Sequence, residues 1–154
     1  MLFRSKAAAY DPFINEDYCA EHEIGVCSFD EVIERADIIS LHLPLNDSTK
    51  HLIGADAIDR MKPGAILINT SRGGIIDEDA ACQALKSGKL GGLGLDAFEI
   101  EPPEGSPLFA FDNVVVTPHT GAHTREATDN MAFASIRNLT DVLSGKECPF
   151  IVNK

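Results

Sequence analysis

The amino-acid sequence predicts an α/β domain whose parallel β-sheet is covered by helices. Short apolar, strand-like runs alternate along the chain with segments of helical periodicity, and this alternation is typical of strands joined by helical crossovers. The chain has 154 residues and is 44% hydrophobic, which is enough to bury the core of one ordinary domain. No internal repeat or low-complexity segment interrupts the pattern, so we expect one domain or one part of a larger one.

The charge and cysteine content of the chain indicate which binding partners and which cellular compartment to expect. Thirteen basic against 24 acidic residues give a net charge of -11, which opposes non-specific binding to nucleic acid or to an anionic membrane. The apolar runs are far shorter than a membrane span, and the first residues lack the apolar stretch of a signal peptide. The four cysteines form no Cys-x-x-Cys pair. We therefore expect reduced thiols in a cytoplasmic protein, without disulfides or zinc.

The first half of the chain predicts three strands and one helix. Strands are expected at Ala7 to Tyr10, at Ile24 to Cys27 and at Ile38 to Leu43, with an irregular acidic stretch between the first two. Pro44 ends the third strand because proline cannot donate a backbone hydrogen bond. Ser28 to Glu31 form a capping box that begins a short helix. The buried stripe of this helix comprises Phe29, Val32, Ile33 and Ala36.

The second half predicts three further strands and three helices. The strand Ala65 to Ile68 follows a short helix and a Lys-Pro-Gly turn, and the strands Leu93 to Leu95 and Val114 to Val116 come after it. Asp77 caps the helix after the first of these strands. A long amphipathic helix is expected from Thr124 to Ser144. The apolar positions of the three helices are Ala57, Ile58 and Met61, then Ala80, Ala81, Ala84 and Leu85, and finally Met131, Ile136, Leu139, Val142 and Leu143.

Candidate catalytic side chains follow three consecutive strands. Arg72 lies in the loop after the fourth strand, Asp96 and Glu101 follow the fifth, and His119 follows the sixth. In a doubly wound parallel sheet, ligands bind beyond the carboxyl ends of the strands. We therefore expect these four side chains to meet at one edge of the sheet.

Arg72, His119 and Glu101 suit an acid-base site for oxidising a hydroxyl group beside a carboxylate. The planar guanidinium of Arg72 can bind a carboxylate through two hydrogen bonds. Histidine is the side chain that titrates nearest neutrality, so His119 could pass a proton between an alcohol and a ketone. A neighbouring carboxylate such as Glu101 would favour the imidazolium and fix the tautomer of the ring.

Each of these residues also has a structural interpretation. Arg72 could be a solvated loop cation, His119 a loop histidine with satisfied hydrogen bonds, and Glu101 a solvated charge; their convergence on one sheet edge favours the functional interpretation. Asp11 could bind the 2′-hydroxyl of a ribose, which favours NAD over NADP, or it could form an Asp-Pro turn. The glycines at 91–94 precede a strand and do not open a helix, so we interpret them as packing and turn residues.

Four ordered motifs resemble those of the D-isomer-specific 2-hydroxyacid dehydrogenases, the family that includes phosphoglycerate, hydroxypyruvate and D-lactate dehydrogenases. They are Leu-His-Leu-Pro-Leu at 41–45, Met-Lys-Pro-Gly-Ala through Asn-Thr-Ser-Arg-Gly at 61–73, Leu-Asp-Ala-Phe with Glu-Pro at 95–102, and Thr-Pro-His-Thr-Gly at 117–121. The resemblance extends from Ala8 to Asn153. It implies a Rossmann-like, doubly wound parallel sheet, NAD as cofactor, and hydride transfer to or from a 2-hydroxy or 2-oxo acid.

The resemblance also implies a role for each matching residue. Arg72 would bind the substrate carboxylate, His119 would be the catalytic histidine and Glu101 its acidic partner. Asp96 would contact the nicotinamide amide, and Asp11 the adenosine ribose. The other residues implied at the cofactor site are His42, Pro44, Thr70, Ser71, Gly121 and Ala122. We further expect a homodimer formed through the nucleotide-binding domain.

The sequence departs from the family at its N-terminus. Family members begin this domain with a strand, a Gly-x-Gly-x-x-Gly turn and a helix, whereas only residues 1–5 precede the Tyr-Asp-Pro strand here. We expect a sheet that is open where the first strand belongs, and neither the glycine-rich loop nor the substrate domain of the family. A truncated gene, a split gene product or a piece of a longer chain would each give this sequence. Residues 1–123 are expected to form the partial NAD-binding domain, with 124–154 as the C-terminal helix and tail of the same unit.

Two rival functions remain open. A metal hydrolase built from His119, Asp96 and Glu101 is the weaker rival, because no His-x-x-x-His or comparable ligand spacing is present; we expect no metal. A non-catalytic NAD-sensing or dimerising module would keep the fold without the reaction.

Overall fold

Strands and helices alternate in the predicted order, with one additional short helix after the first strand. The computed structural model describes residues 5–152. Its strands are β1 (Ala7–Ala9), β2 (Ile24–Val26), β3 (Ile38–Leu41), β4 (Ala65–Asn69), β5 (Leu90–Leu95) and β6 (Val114–Val116). Its helices are α1 (Glu16–Glu21), α2 (Phe29–Arg35), α3 (Ala55–Arg60), α4 (Glu78–Ser87) and α5 (Arg125–Leu143), with a 3-10 helix at Pro107–Ala110. The α/β class predicted from the sequence is confirmed.

The strands form two parallel sheets. β3, β4, β5 and β6 pair in that order, while β1 pairs with β2 in a separate two-stranded sheet. In the larger sheet Leu41 lies opposite Asn69, and Asn69 lies opposite Leu95, so the carboxyl ends of β3, β4 and β5 are level with one another. The separation of β1 and β2 from β3 agrees with the expected opening in the middle of the sheet.

The core lies on one face of the four-stranded sheet. Along β3, Ile39 and Leu41 are buried, whereas Ile38 is 60% exposed. The buried residues of β3, β4 and β5 form one cluster with those of α3 and α4. Because parallel sheets are normally covered on both faces, the exposure of Ile38 and Ile66 shows that the second face is only partly covered within residues 5–152.

The acidic stretch after β1 contains a helix that the sequence analysis missed. Asn15 caps α1 by accepting a hydrogen bond from the Tyr18 backbone N–H at 3.0 Å, and Glu16 and Asp17 occupy the first turn. Acidic side chains are favourable there because the helix N-terminus carries partial positive charge. The prediction of irregular structure in this stretch was therefore wrong.

The interpretation of the glycines at 91–94 as packing and turn residues that precede a strand is confirmed for packing but wrong for the turn. They lie inside β5, which begins at Leu90, three residues earlier than expected. A Cβ atom at Gly91 would overlap the backbone of Gly64. Glycine is required at this position because another backbone approaches too closely for any side chain.

The chain divides into two compact units, residues 1–118 and 119–154. The second unit contains α5, which begins after Thr124 and ends before Gly145, where φ is 70°. The helix predicted here is confirmed, but none of its residues is buried. Its apolar side chains are exposed, from 45% for Val142 to 78% for Leu143.

Two further sequence expectations can be compared with the structure. All four cysteines are free, as expected. Among residues 5–152, no helix combines the length and apolar character needed to cross a membrane.

Candidate active site

A buried asparagine shapes the loop that carries Arg72. Asn69 ends β4 and is 1% exposed. Its Oδ1 accepts hydrogen bonds from the backbone N–H and the hydroxyl of Ser71, at 3.0 and 2.8 Å, and its Nδ2 donates to the Arg72 carbonyl at 2.7 Å. The amide therefore fixes the backbone up to Arg72. We did not select Asn69 from the sequence, although an asparagine that follows an apolar strand is a known turn signal.

Arg72 lines a groove at the carboxyl end of the sheet. The groove has a volume of about 580 Å³ and is lined by His42, Leu43, Pro44, Leu45, Ser71 and Arg72. The Arg72 side chain is exposed and donates one hydrogen bond, to the Ser71 carbonyl at 2.8 Å. A guanidinium has five N–H groups, so donors remain for a ligand. The structure thus brings four predicted site residues together, namely His42, Pro44, Ser71 and Arg72.

The loop of Arg72 and the loop of Glu101 are in contact. A Cβ atom at Gly73 would overlap the backbone carbonyl of Phe98, so the two loops approach as closely as glycine allows. The Glu101 carboxylate accepts a hydrogen bond from the Phe98 N–H at 3.0 Å. Arg72 and Glu101 therefore stand on loops whose backbones lie in close contact.

Asp96 is a buried carboxylate at the end of β5. It is 5% exposed and accepts a hydrogen bond from the Thr117 hydroxyl. Its own backbone N–H donates to the Asn69 carbonyl at 3.0 Å. Burying a carboxylate is costly unless hydrogen bonds compensate, and Thr117 is one such donor. The site prediction missed Thr117, because only pairing of β6 with β5 brings its hydroxyl to Asp96.

Asp11 forms the turn that the sequence analysis gave as the alternative to a ribose-binding role. Its Oδ1 accepts a hydrogen bond from the Phe13 N–H at 2.7 Å. Asp11 follows β1, which pairs with no described strand other than β2. A role for Asp11 in binding ribose stays a prediction.

His119 begins the second compact unit. Its backbone has φ of 53°, in the left-handed region that residues other than glycine adopt uncommonly. Such conformations are concentrated at functional sites. Gly121 and Ala122 follow it and are exposed. The grouping of His119 with Arg72 and Glu101 stays a prediction.

The described residues show no metal centre. Within residues 5–152, no group of three or more histidine, cysteine, aspartate or glutamate side chains is arranged to hold a metal ion. The structure therefore offers no support for a metal hydrolase.

The sequence of this site matches a known family. Residues 2–121 match the family model described as D-isomer specific 2-hydroxyacid dehydrogenase, NAD binding domain. The chain belongs to this family. The resemblance stated from the motifs is confirmed, and with it the assignment of the α/β fold to the NAD-binding, Rossmann-like domain of D-2-hydroxyacid dehydrogenases.

Three relatives illustrate the similarity to this dehydrogenase family. D-3-phosphoglycerate dehydrogenase from Mycobacterium leprae is 42% identical over 151 residues, which cover 98% of this chain and 29% of that protein. Glyoxylate reductase from Thermococcus litoralis is 46% identical over 137 residues, which cover 88% of this chain and 41% of that protein. D-lactate dehydrogenase from Aquifex aeolicus, solved with NAD and lactic acid, superimposes with a TM-score of 0.85 at 34% identity, covering 94% of this chain and 48% of that one. The chain spans less than half the length of each.

Proposed function

We propose that this protein is an NAD-dependent oxidoreductase that interconverts a 2-hydroxy acid and a 2-oxo acid. The observation that carries the proposal is the contact between the loops of Arg72 and Glu101, at the carboxyl end of a sheet that belongs to a dehydrogenase family. This edge is where parallel α/β sheets bind their ligands.

The chemistry of the polar groups at this edge fits a dinucleotide. Asp96 and its Thr117 donor offer a fixed polar group for the nicotinamide amide, and the groove between residues 42–45 and 71–72 offers a surface for the cofactor. The residues proposed to hold NAD are Asp11, His42, Pro44, Thr70, Ser71, Asp96, Gly121 and Ala122. When bound, the nicotinamide ring supplies or accepts the hydride at C4.

Arg72, Glu101 and His119 are proposed to act on the substrate. Arg72 binds the substrate carboxylate through two hydrogen bonds and so orients the neighbouring C2 carbon. His119 takes the hydroxyl proton during oxidation and returns it during reduction. Glu101 favours the protonated imidazole and orients its ring.

A non-catalytic module is the alternative, as an NAD sensor or a dimerising fragment. The exposed apolar side chains of α5 fit its dimerising form, because an uncovered apolar surface of this kind marks an interaction site. For the enzyme we also propose a homodimer formed through the nucleotide-binding domain. A cytoplasmic location is proposed because the four free cysteines suit a reducing compartment.

The test is oxidation of NADH by the native-length protein, which means the protein purified from the cells that naturally produce it. Glyoxylate, pyruvate, hydroxypyruvate and 3-phosphohydroxypyruvate should be supplied in turn, with the loss of NADH absorbance as the signal. Turnover of at least one of these acids is expected. If none is reduced while NADH still binds, the enzymatic proposal is wrong and the sensing alternative is favoured.

A further inference from the structure

Three polar side chains outside the groove join the loops on which the site is built. They are His51, Glu78 and Glu99, which we refer to as the clasp. The Glu99 carboxylate pairs with His51 Nε2 at 2.9 Å, and the Glu99 backbone N–H donates to Glu78 Oε1 at 2.6 Å. His51 lies before α3, Glu78 begins α4, and Glu99 follows β5. The clasp therefore ties together three segments that are far apart in the chain.

His51 also holds the Arg72 loop through its backbone. Its N–H donates to the Gly74 carbonyl at 2.8 Å. Two residues on, Ile53 continues this pairing with Ile75 and Asp77. His51 keeps a left-handed backbone, with φ of 50°, which persists only where surrounding contacts enforce it. One residue thus contacts the Arg72 loop through its backbone and the Glu101 loop through its side chain.

Glu99 follows the residue through which the two loops touch. The Phe98 carbonyl fills the space beside Gly73, and the Phe98 N–H binds the Glu101 carboxylate. A shift of Glu99 would move Phe98, which has no room to move towards Gly73. The position of Glu99 therefore affects the positions of the loops that carry Arg72 and Glu101.

The charges of the clasp argue that it does more than stabilise the fold. Glu78 and Glu99 are both acidic. Burial raises the pKa of Glu78, the hydrogen bond from the Glu99 backbone N–H opposes this shift, and the charges of Glu99 and Asp79 add to it. Bringing like charges together at a partly buried position is unfavourable. The pair of His51 and Glu99 is itself more than a third exposed, and such pairs stabilise proteins little.

We propose that Glu99 and His51 are positioning residues that fix the Arg72 loop against the Glu101 loop. The proposal rests on the proposed function for its kinetic consequence, because Arg72 is there the group that binds the substrate carboxylate. Its structural consequence is independent of that function: loss of the pair between His51 and Glu99 should loosen these two loops and leave the strands unchanged.

Hydrogen exchange measured residue by residue tests the structural part. In Glu99→Ala, exchange of the Ser71 and Phe98 amides should become about twofold to fivefold faster, in keeping with the loss of one partly exposed hydrogen bond between side chains. Amides within β4 and β5 should exchange as before. Glu99→Gln keeps an oxygen that can accept from His51 and should restore most of the protection.

Two other variants make the comparison specific. Asparagine tolerates the left-handed backbone at position 51, but its side chain is too short to reach Glu99. His51→Asn should therefore repeat the exchange pattern of Glu99→Ala, and it replaces Glu99→Ala in the test if that variant does not fold. Glu34→Ala is the matched control, since it removes a carboxylate bound to Arg60 at 2.8 Å. Exchange at Ser71 and Phe98 should not change in this control. Unchanged exchange at these amides in both clasp variants would overturn the proposal.

Kinetics of the native-length protein test the functional part. Glu99→Ala should raise KM for the 2-oxo acid about twofold to fivefold, because the loops of Arg72 and Glu101 are both loosened. KM for NADH should rise less, since most of the residues proposed to hold NAD lie outside these two loops. A lower kcat with unchanged KM, together with faster exchange throughout the protein, would mean a merely structural role and overturn the proposal. If the unmutated protein reduces no 2-oxo acid, the proposed function fails, and the exchange result alone decides on the clasp.

Discussion

At the scale of single residues, the shape of the Arg72 loop depends on the amide of Asn69. Asn69→Ala removes the partners of the Ser71 N–H and the Arg72 carbonyl. We expect the free energy of unfolding to fall by about 1–3 kcal/mol, the usual cost of buried groups left without a hydrogen bond. Urea denaturation measures this. The control is Asn113→Ala, which removes one exposed hydrogen bond to the Gly91 carbonyl; equal losses in the two variants would contradict the role given to Asn69.

Arg72 is predicted to need its planar fork and not only its charge. Arg72→Lys keeps the positive charge but cannot bind a carboxylate through two parallel hydrogen bonds. In the native-length protein we expect kcat/KM for the 2-oxo acid to fall by about tenfold or more. Arg35→Lys is the control, because Arg35 is exposed and pairs with Glu31 on α2. A kinetically silent Arg72→Lys would remove Arg72 from the proposed site.

His119 is predicted to carry the proton. In the native-length protein, His119→Ala should lower kcat by roughly 100-fold to 10,000-fold, the usual contribution of general acid-base catalysis. Steady-state kinetics provide the measurement. His22→Ala is a suitable control because His22 stacks on Tyr18 at the end of α1. If kcat for His119→Ala stays near that of the unmutated protein, the proton must be carried by another group.

At the scale of elements, the first turns of α2 and α4 each contain a glutamate whose pKa is shifted, and the two shifts have opposite directions. Ser28 donates to Glu31 and lowers its pKa, whereas burial raises the pKa of Glu78 above its usual value of 4.5. A raised folded-state pKa means that the stabilising contribution of Glu78 is present at low pH. It is lost as the pH rises through that pKa. For Glu31 the sign is reversed, and its contribution is lost as the pH falls.

Because the two pKa shifts have opposite signs, replacing each glutamate by glutamine should change the thermal stability in opposite directions. Glu78→Gln imitates the protonated acid and should raise Tm near neutral pH by about 1 °C, a small effect because the group is only partly buried and solvent screens its charge. The advantage should vanish below about pH 4, where glutamate itself becomes protonated. Glu31→Gln should instead lower Tm near neutral pH. Thermal denaturation across this pH range tests both signs, and a Glu78→Gln variant that is less stable than wild type at neutral pH would contradict the burial argument.

The helix boundaries show which structural features can be predicted from residues that are close together in the chain. The capping box of Ser28 and Glu31 and the Asp77 cap of α4 appear as predicted, because a cap is a hydrogen bond between near neighbours in the chain. α1 was missed because its six residues carry only a weak helical periodicity and a single buried side chain, Cys19. The long helix α5 was identified correctly, but its amphipathic pattern could not say whether another surface covers its apolar side.

At the scale of the whole molecule, the phosphate-binding part of a dinucleotide site is the feature to test. Within residues 5–152, no glycine-rich turn opens a helix, and the glycines at 91–94 lie inside β5. Without such a turn, the pyrophosphate lacks its usual anion site at a helix N-terminus. We expect the 154-residue chain alone to bind NADH with a Kd in the millimolar range at best, about 4 kcal/mol of binding free energy. Isothermal calorimetry measures this, and a low-micromolar Kd would show that the prediction is wrong.

Apart from α1 and its cap, the sequence by itself determined the order of strands and helices, the helix caps at Ser28 and Asp77, and the reactive residues at the strand ends. These features depend on periodicity and on hydrogen bonds between residues a few positions apart. The family motifs added roles for Arg72, Glu101 and His119, which stay predictions.

Only the tertiary structure decided which of these local features meet. It divided the strands into two sheets and placed Gly73 against Phe98. It also paired His51 with Glu99, 48 residues away, and Thr117 with Asp96, 21 residues away. No local pattern encodes such pairs, because they form only when packing of the whole sheet brings distant loops to the same edge.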